Sequence, residues 1–139
     1  MVKELELKNG IYKPASCVLI RHKEDPNLFL GVSRRHNHND FGLPGGKVDA
    51  GENYMSAAIR ETKEETGLHI SGLTYIYGDL VEGEVNYVCV CYIAKEYEGQ
   101  IQQMVGEGLV KWVSKEELLA GSFGEFNKAV FVKLEDDNG

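Results

Sequence analysis

The sequence predicts one α/β domain with helices packed on both sides of a mixed sheet, and three observations carry that prediction. Short β-rich runs interleave with helical patterns along the chain. One segment, 53–66, repeats apolar residues at intervals of three and four. No linker or repeat divides the 139 residues, so a single domain is expected over 1–139. A chain of that size buries roughly two thirds of the surface it exposes when unfolded, enough for one core.

Taken in order, 14–22 (PASCVLIRH) and 28–34 (LFLGVSR) are strand-like and flank the turn-forming Lys-Glu-Asp-Pro-Asn stretch, so they pair. The polar segment 34–40 reads as a loop. Residues 41–52, FGLPGGKVDAGE, hold four Gly and a Pro and read as loop and tight turn. Met55, Ala58, Ile59, Thr62 and Thr66 then form one buried stripe on a helix from Asn53 to Thr66, which Gly67 is placed to end in the left-handed conformation. Strands follow at 68–80 and 84–94. The second, EVNYVCVCYIA, is apolar on both alternating faces and reads as a central strand covered on both sides. Residues 109–113 make another strand. Ser114 and Glu117 have capping-box spacing and open a short helix at SKEELLA. A last helix runs over about 125–134, and 135–139 read as a frayed tail.

Composition excludes several function classes. Acidic residues outnumber basic ones 22 to 15, for a formal charge of -7, which argues against a chain built to grip a nucleic-acid polymer. An acidic protein that binds polyphosphate needs a cation to mediate the contact. The opening MVKELELKNG has no apolar core of signal-peptide length, and no stretch reaches the length of a membrane span, so a cytoplasmic protein without a membrane partner is expected. Cys17, Cys89 and Cys91 lie in apolar strand sequence and read as free thiols rather than a disulfide frame or zinc site.

On the helix over 53–66, Glu61, Glu64 and Glu65 fall within an arc of about a hundred degrees, so three carboxylates share a face. By themselves they read as a solvated acidic surface. Their surroundings change that reading. Gly46 is followed after five residues by Glu52 and, after seven more, by Arg60-Glu61-Thr62-Lys63-Glu64-Glu65-Thr66-Gly67-Leu68. The segment 46–68 resembles the signature of the Nudix hydrolases at every charged and glycine position, departing only at Thr62, where that family usually carries an aliphatic residue. The resemblance implies a Nudix-type α/β/α sandwich with a mixed sheet between helices, and hydrolysis of a nucleoside diphosphate linked to another group. It implies that Glu61, Glu64 and Glu65 ligate metal, that the Gly45 carbonyl adds a ligand, and that Arg60 orients Glu61. Glu52 reads as a brace between loop and helix, with Gly46 and Gly67 as structural support. Hard oxygen donors suit Mg²⁺, with Mn²⁺ as the alternative, better than zinc. The base that deprotonates the attacking water is Glu61 or a later glutamate, and Glu107 resembles the latter; an ordinary loop acid is the plain reading of Glu107.

Signals for the substrate lie outside this segment. The ending FGEFNKAVFVKL places Asn127 twenty residues after Glu107, which resembles the mutator-type enzymes that hydrolyse 8-oxo-dGTP, whose matching asparagine reads the purine. An amide both donates and accepts, as a purine edge requires, whereas the plain reading of Asn127 is a helix cap. Phe41 and Phe126 read as pocket or core aromatics. Arg34, Arg35 and Lys47 are placed to meet phosphate. His36 and His38 read as a polar hairpin before metal ligands. ADP-ribose hydrolases of this family typically carry a proline past the signature, and this chain has none after Pro44. Tyr87 lies near the place of a tyrosine that marks many dinucleoside polyphosphate hydrolases. The leading expectation is an enzyme that converts a (deoxy)nucleoside triphosphate, such as 8-oxo-dGTP, to the monophosphate and pyrophosphate. Dinucleoside polyphosphate or nucleotide-sugar hydrolases, and a silent nucleotide-binding regulator, are the alternatives.

Overall fold

From Pro14 onward the segment 10–19 is buried at every position, as suits a strand covered on both faces. In the computed structural model, which describes residues 2–138, it forms β2 (Gly10–Leu19), the strand on which the molecule is built. Around it lie β1 (Leu5–Leu7), β5 (Gly45–Lys47), β6 (His69–Val81) and β7 (Asn86–Glu98), in the order β1-β2-β7-β6, with β5 pairing the same β2. The sheet is mixed, because β2 runs parallel to β7 while β1, β5 and β6 pair antiparallel to their neighbours. A second sheet, β4-β3-β8, holds β3 (Leu28–Arg34), β4 (Asn37–Gly42) and β8 (Val110–Ser114). The two sheets are joined where the chain past β2 pairs with β3, through Leu30 N to Ile20 O at 2.9 Å and His22 N to Leu28 O at 2.9 Å.

Side-chain alternation sorts β2 between two cores. Val18 and Ile20 meet Ala58, Leu68 and Ile70 on the side of α1 (Tyr54–Thr66). Cys17 and Leu19 meet Ile76, Cys91, Val130, Phe131 and Leu134 on the side of α3 (Gly124–Asn138). The sheet is therefore held between helices, as expected. The short α2 (Lys115–Ala120) packs its buried Leu118 into the α3-side core, and Ser114 and Glu117 close the capping box at its start. Among the described residues no helix is long and apolar enough to cross a membrane.

Several expectations are corrected. The segment expected as a loop over 34–40 mostly forms β4, because its backbone pairs with β3 in a tight hairpin, Arg34 opposite Asn37. Within the glycine-rich 41–52, Gly45–Lys47 is the strand β5, its backbone pairing with Ala15–Cys17. Polar and glycine-rich composition hid both strands, since pairing is a property of the backbone. β1 was not anticipated. Met55 is exposed at the first turn of α1, and the helix buries Ala57 instead. β7 is central in pairing order, but its first five residues are only half-buried, and two of them, Tyr87 and Cys89, line an open groove. The tail expected over 135–139 continues α3 to Asn138; Gly139 lies outside the described residues.

Candidate active site

α1 starts where Asn53 Oδ1 accepts the Ser56 N–H at 2.7 Å and ends at Gly67, whose φ of 81° needs no Cβ. Burial of Ala57, Ala58, Thr62 and Thr66 sets the rotation of the helix, so that Glu61 and Glu65 face β5 and Glu64 stands at the rim. Glycine lets β5 lie close to α1 at Gly46 and to β2 at Gly45. A Cβ on Gly46 would lie 2.5 Å from Glu61 Cδ, and one on Gly45 would lie 2.7 Å from Cys17 Cα. The Gly45 N–H donates to Glu65 Oε1 at 2.8 Å.

Arg60 ties the acidic face together. Its Nε and Nη2 grip Glu52 at 2.7 and 3.0 Å, a two-pronged pair. Nη1 donates to Glu61 Oε1 at 3.0 Å and Glu64 Oε2 at 3.1 Å, and Nη2 also reaches Lys47 O at 3.1 Å. Asp49 adds an ion pair at 3.3 Å, and its N–H donates to Glu52 Oε1 at 2.9 Å, which closes the loop onto the helix. The Arg60 hydrogen bonds hold the Glu52 carboxyl below its ordinary range and push the guanidinium higher. Glu61 and Glu65 go the other way. Burial raises Glu61 despite Arg60, and burial together with the charges of Glu61, Glu107 and Glu64 lifts Glu65 to about 8 against the Gly45 hydrogen bond.

A groove of about 540 Å³ opens beside this face. It gathers Gly45, Gly46, Lys47, Glu61, Glu64, Glu65, Glu107 and Asn127, along with Arg35, Tyr87 and Phe126. Glu107 reaches it from a loop secured at both ends. Gln102 N donates to Thr66 O at 2.8 Å at one end, and Gln103 bridges Gly108 O and Val110 N at 2.8 and 3.0 Å at the other. Across the groove Arg35 lies 3.6 Å from Glu107. Asn127 is 2% exposed; its Nδ2 donates to Leu118 O at 3.0 Å, tying α3 to α2, while the residue still borders the groove. Phe126 packs edge-on against Tyr77.

Other expected site residues lie elsewhere. Phe41 is a core residue, 3% exposed, because β4 turns its ring inward beside Val113. Arg34, the last residue of β3, reaches Ser122 Oγ at 3.3 Å in an adjoining hollow that Arg35, Glu65 and Glu107 also line. Glu52 stands behind the acidic face, and Gly67 at the far end of α1. His36 and His38 are exposed on the β3–β4 hairpin. The sequence reading missed Asp49 and Gln103, whose parts depend on loop geometry and leave no spacing signal.

The anionic side chains around the groove are all carboxylates, and the four glutamates and Asp49 outnumber Arg35 and Lys47, the cations that share it. That set fits a hard divalent cation, because burial and mutual repulsion leave Glu61 and Glu65 short of positive charge. Among the described residues no three acidic, histidine or cysteine side chains converge closely enough to hold an ion in this arrangement. Glu61 and Glu64 are drawn to Arg60 and Glu65 to the Gly45 amide, so binding requires their carboxyl groups to rotate.

The model of the NUDIX domain matches residues 11–134, which takes in the whole acidic segment and both cores. The chain belongs to the Nudix family. A mouse bis(5′-nucleosyl)-tetraphosphatase (asymmetrical) is 37% identical to this Nudix chain over 83 residues, 53% of the chain and 55% of the relative. An uncharacterized Nudix hydrolase of Bacillus subtilis, YvcI, is 31% identical over 110 residues, 73% of the chain and 65% of the relative. The match thus spans little more than half to two thirds of those relatives' length. A MutT protein from Methanosarcina mazei shares the fold, with a TM-score of 0.75 at 21% identity over 92% of this chain and 96% of that one.

Proposed function

We propose that this Nudix domain is a divalent-metal-dependent pyrophosphohydrolase whose substrate is a (deoxy)nucleoside triphosphate, released as the monophosphate and pyrophosphate. An oxidised guanine nucleotide such as 8-oxo-dGTP is the first candidate, met as a free nucleotide in the cytoplasm. The observation that carries this reading is the single groove with an acidic wall of Glu61, Glu64 and Glu65 and, bordering the same space, the amide of Asn127 and the ring of Phe126.

Glu61, Glu64, Glu65 and the Gly45 carbonyl are the groups that would hold Mg²⁺ or Mn²⁺. When bound, such a cation neutralises phosphate oxygens and lowers the pKa of a water ligand. Arg60 keeps Glu61 and Glu64 oriented, and Glu52 braces Arg60 against the loop. Lys47 and Arg35 bind phosphate oxygens that the acidic wall does not face. Glu107 takes the proton of the attacking water, since Arg35, its ionic partner among the described residues, is free to turn to the substrate; Glu61 is the alternative base. The new bond joins water oxygen to phosphorus as the anhydride P–O bond breaks, and the leaving phosphate carries away the electron pair. Asn127 donates to Leu118 through Nδ2, which leaves Oδ1 to accept from a purine N–H.

A second reading, a dinucleoside polyphosphate hydrolase, is favoured by Tyr87, which lines the same groove, and by the name of the mouse relative. Incubating the chain with nucleoside triphosphates, 8-oxo-dGTP and dinucleoside tetraphosphates, with Mg²⁺ or with EDTA, separates the two. Mg²⁺-dependent release of monophosphate and pyrophosphate from a triphosphate supports the first. Preferential asymmetric cleavage of the dinucleotide replaces it with the second, and metal-independent turnover or none removes both.

A further inference from the structure

Ser16 lies near the middle of β2, and its hydroxyl is buried with no hydrogen-bond partner among the described residues, the residue being 1% exposed. Such a group is costly unless something completes it. Its place on the strand says what it faces. Ser16 and Gly46 are directly paired across antiparallel β2 and β5, so their Cβ directions leave the sheet on the same side, about 4.5–5.5 Å apart. On Gly46 that direction is filled by Glu61, with the Glu61 Oε2 position 2.7 Å from where a Cβ would stand. The Ser16 side chain therefore leaves the sheet on the side where the Glu61 carboxyl group lies. Glu61 Oε1 is held by Arg60 at 3.0 Å, whereas Oε2 accepts no hydrogen bond from the described residues. A buried donor and a half-buried acceptor oxygen, each without a hydrogen-bond partner among the described residues, lie on the same face of the sheet.

Resting on the reading of Glu61 as a metal-facing carboxylate, we propose that Ser16 is a positioning residue for Glu61. Its hydroxyl donates to Glu61 Oε2, directly or through one buried water, and fixes the plane of the carboxyl group when it turns toward a divalent cation. Arg60 alone holds one oxygen and leaves that plane free to rotate. With Ser16 on the second oxygen, both tethers are set and lone pairs remain for the cation.

The test compares the wild-type chain with Ser16→Ala and Ser16→Thr in three measurements: metal-free melting temperature, Mn²⁺ affinity by calorimetry, and kcat and KM with Mg²⁺ on the nucleotide turned over best. Removing an unpaired buried hydroxyl leaves the metal-free Ala variant at least as stable as wild type. Its Mn²⁺ affinity and kcat fall by about tenfold while KM changes little, and Thr, which keeps the hydroxyl, recovers most of the loss. Should the Ala variant fail to fold, Ser16→Cys, close in shape but a weak donor, carries the same comparison. A folded Ala or Cys variant with wild-type Mn²⁺ affinity and kcat overturns the proposal while the metal-dependent reaction stands. A wild-type chain that neither binds Mn²⁺ nor hydrolyses any nucleotide overturns both.

Discussion

Arg60 donates from all three guanidinium nitrogens to Glu52, Glu61, Glu64 and the Lys47 carbonyl, and this pattern sets what individual substitutions do. Glu64 is the most exposed of the three glutamates and is tied only at one oxygen. Glu64→Gln keeps that acceptor and removes the charge, so the melting temperature holds while Mg²⁺-dependent turnover falls by about a hundredfold. Near-normal steady-state rates would take Glu64 out of the metal set. Asn127 has two duties. Asn127→Ala leaves the buried Leu118 carbonyl unpaired, which costs about 1–3 kcal/mol in denaturant unfolding. It also lowers kcat/KM for 8-oxo-dGTP more than for dGTP, and equal losses on both would leave Asn127 as a structural tie alone.

At the scale of the element, the site depends on how closely β5 approaches α1. Gly46→Ala drives a methyl group into the Glu61 carboxyl group, the far end of a flexible side chain, so the fold survives and the carboxylate is displaced. The expected outcome is a folded variant, by circular dichroism, with turnover reduced at least about tenfold; wild-type turnover would mean that Glu61 works from another position. α1 itself was legible from residue types, because the stripe through Ala58, Thr62 and Thr66 and the Gly67 terminus are local signals. β4 and β5 were not. Their residues, NHNDFG and GGK, carry no strand pattern, and they pair because β3 and β2 offer them free backbone edges.

For the molecule as a whole, the groove's charge links metal binding to pH. Glu65 has its carboxyl raised from the ordinary 4.5 to about 8 in the metal-free fold, and Glu61 moves the same way. The folded state then holds more protons than the unfolded one through this window, so the metal-free chain is most stable near its low end and loses that contribution as pH rises through about 8. Thermal unfolding in EDTA from pH 5.5 to 8.5, set against Glu65→Gln, should show the wild-type chain losing more stability, and Mn²⁺ affinity should climb over the same interval as the proton leaves. Parallel pH profiles for the two chains would contradict the raised carboxyl group. The sequence by itself determined the family and the acidic face of α1, because these reside in residue types at short fixed spacings. Only the tertiary structure decided that Phe41 is core, that Arg35 pairs with Glu107 while Arg34 reaches Ser122, and that Asn127 and Ser16 line the same groove as the glutamates. Those relations join residues that are distant in the chain, and packing and strand register, which no local spacing records, bring them together.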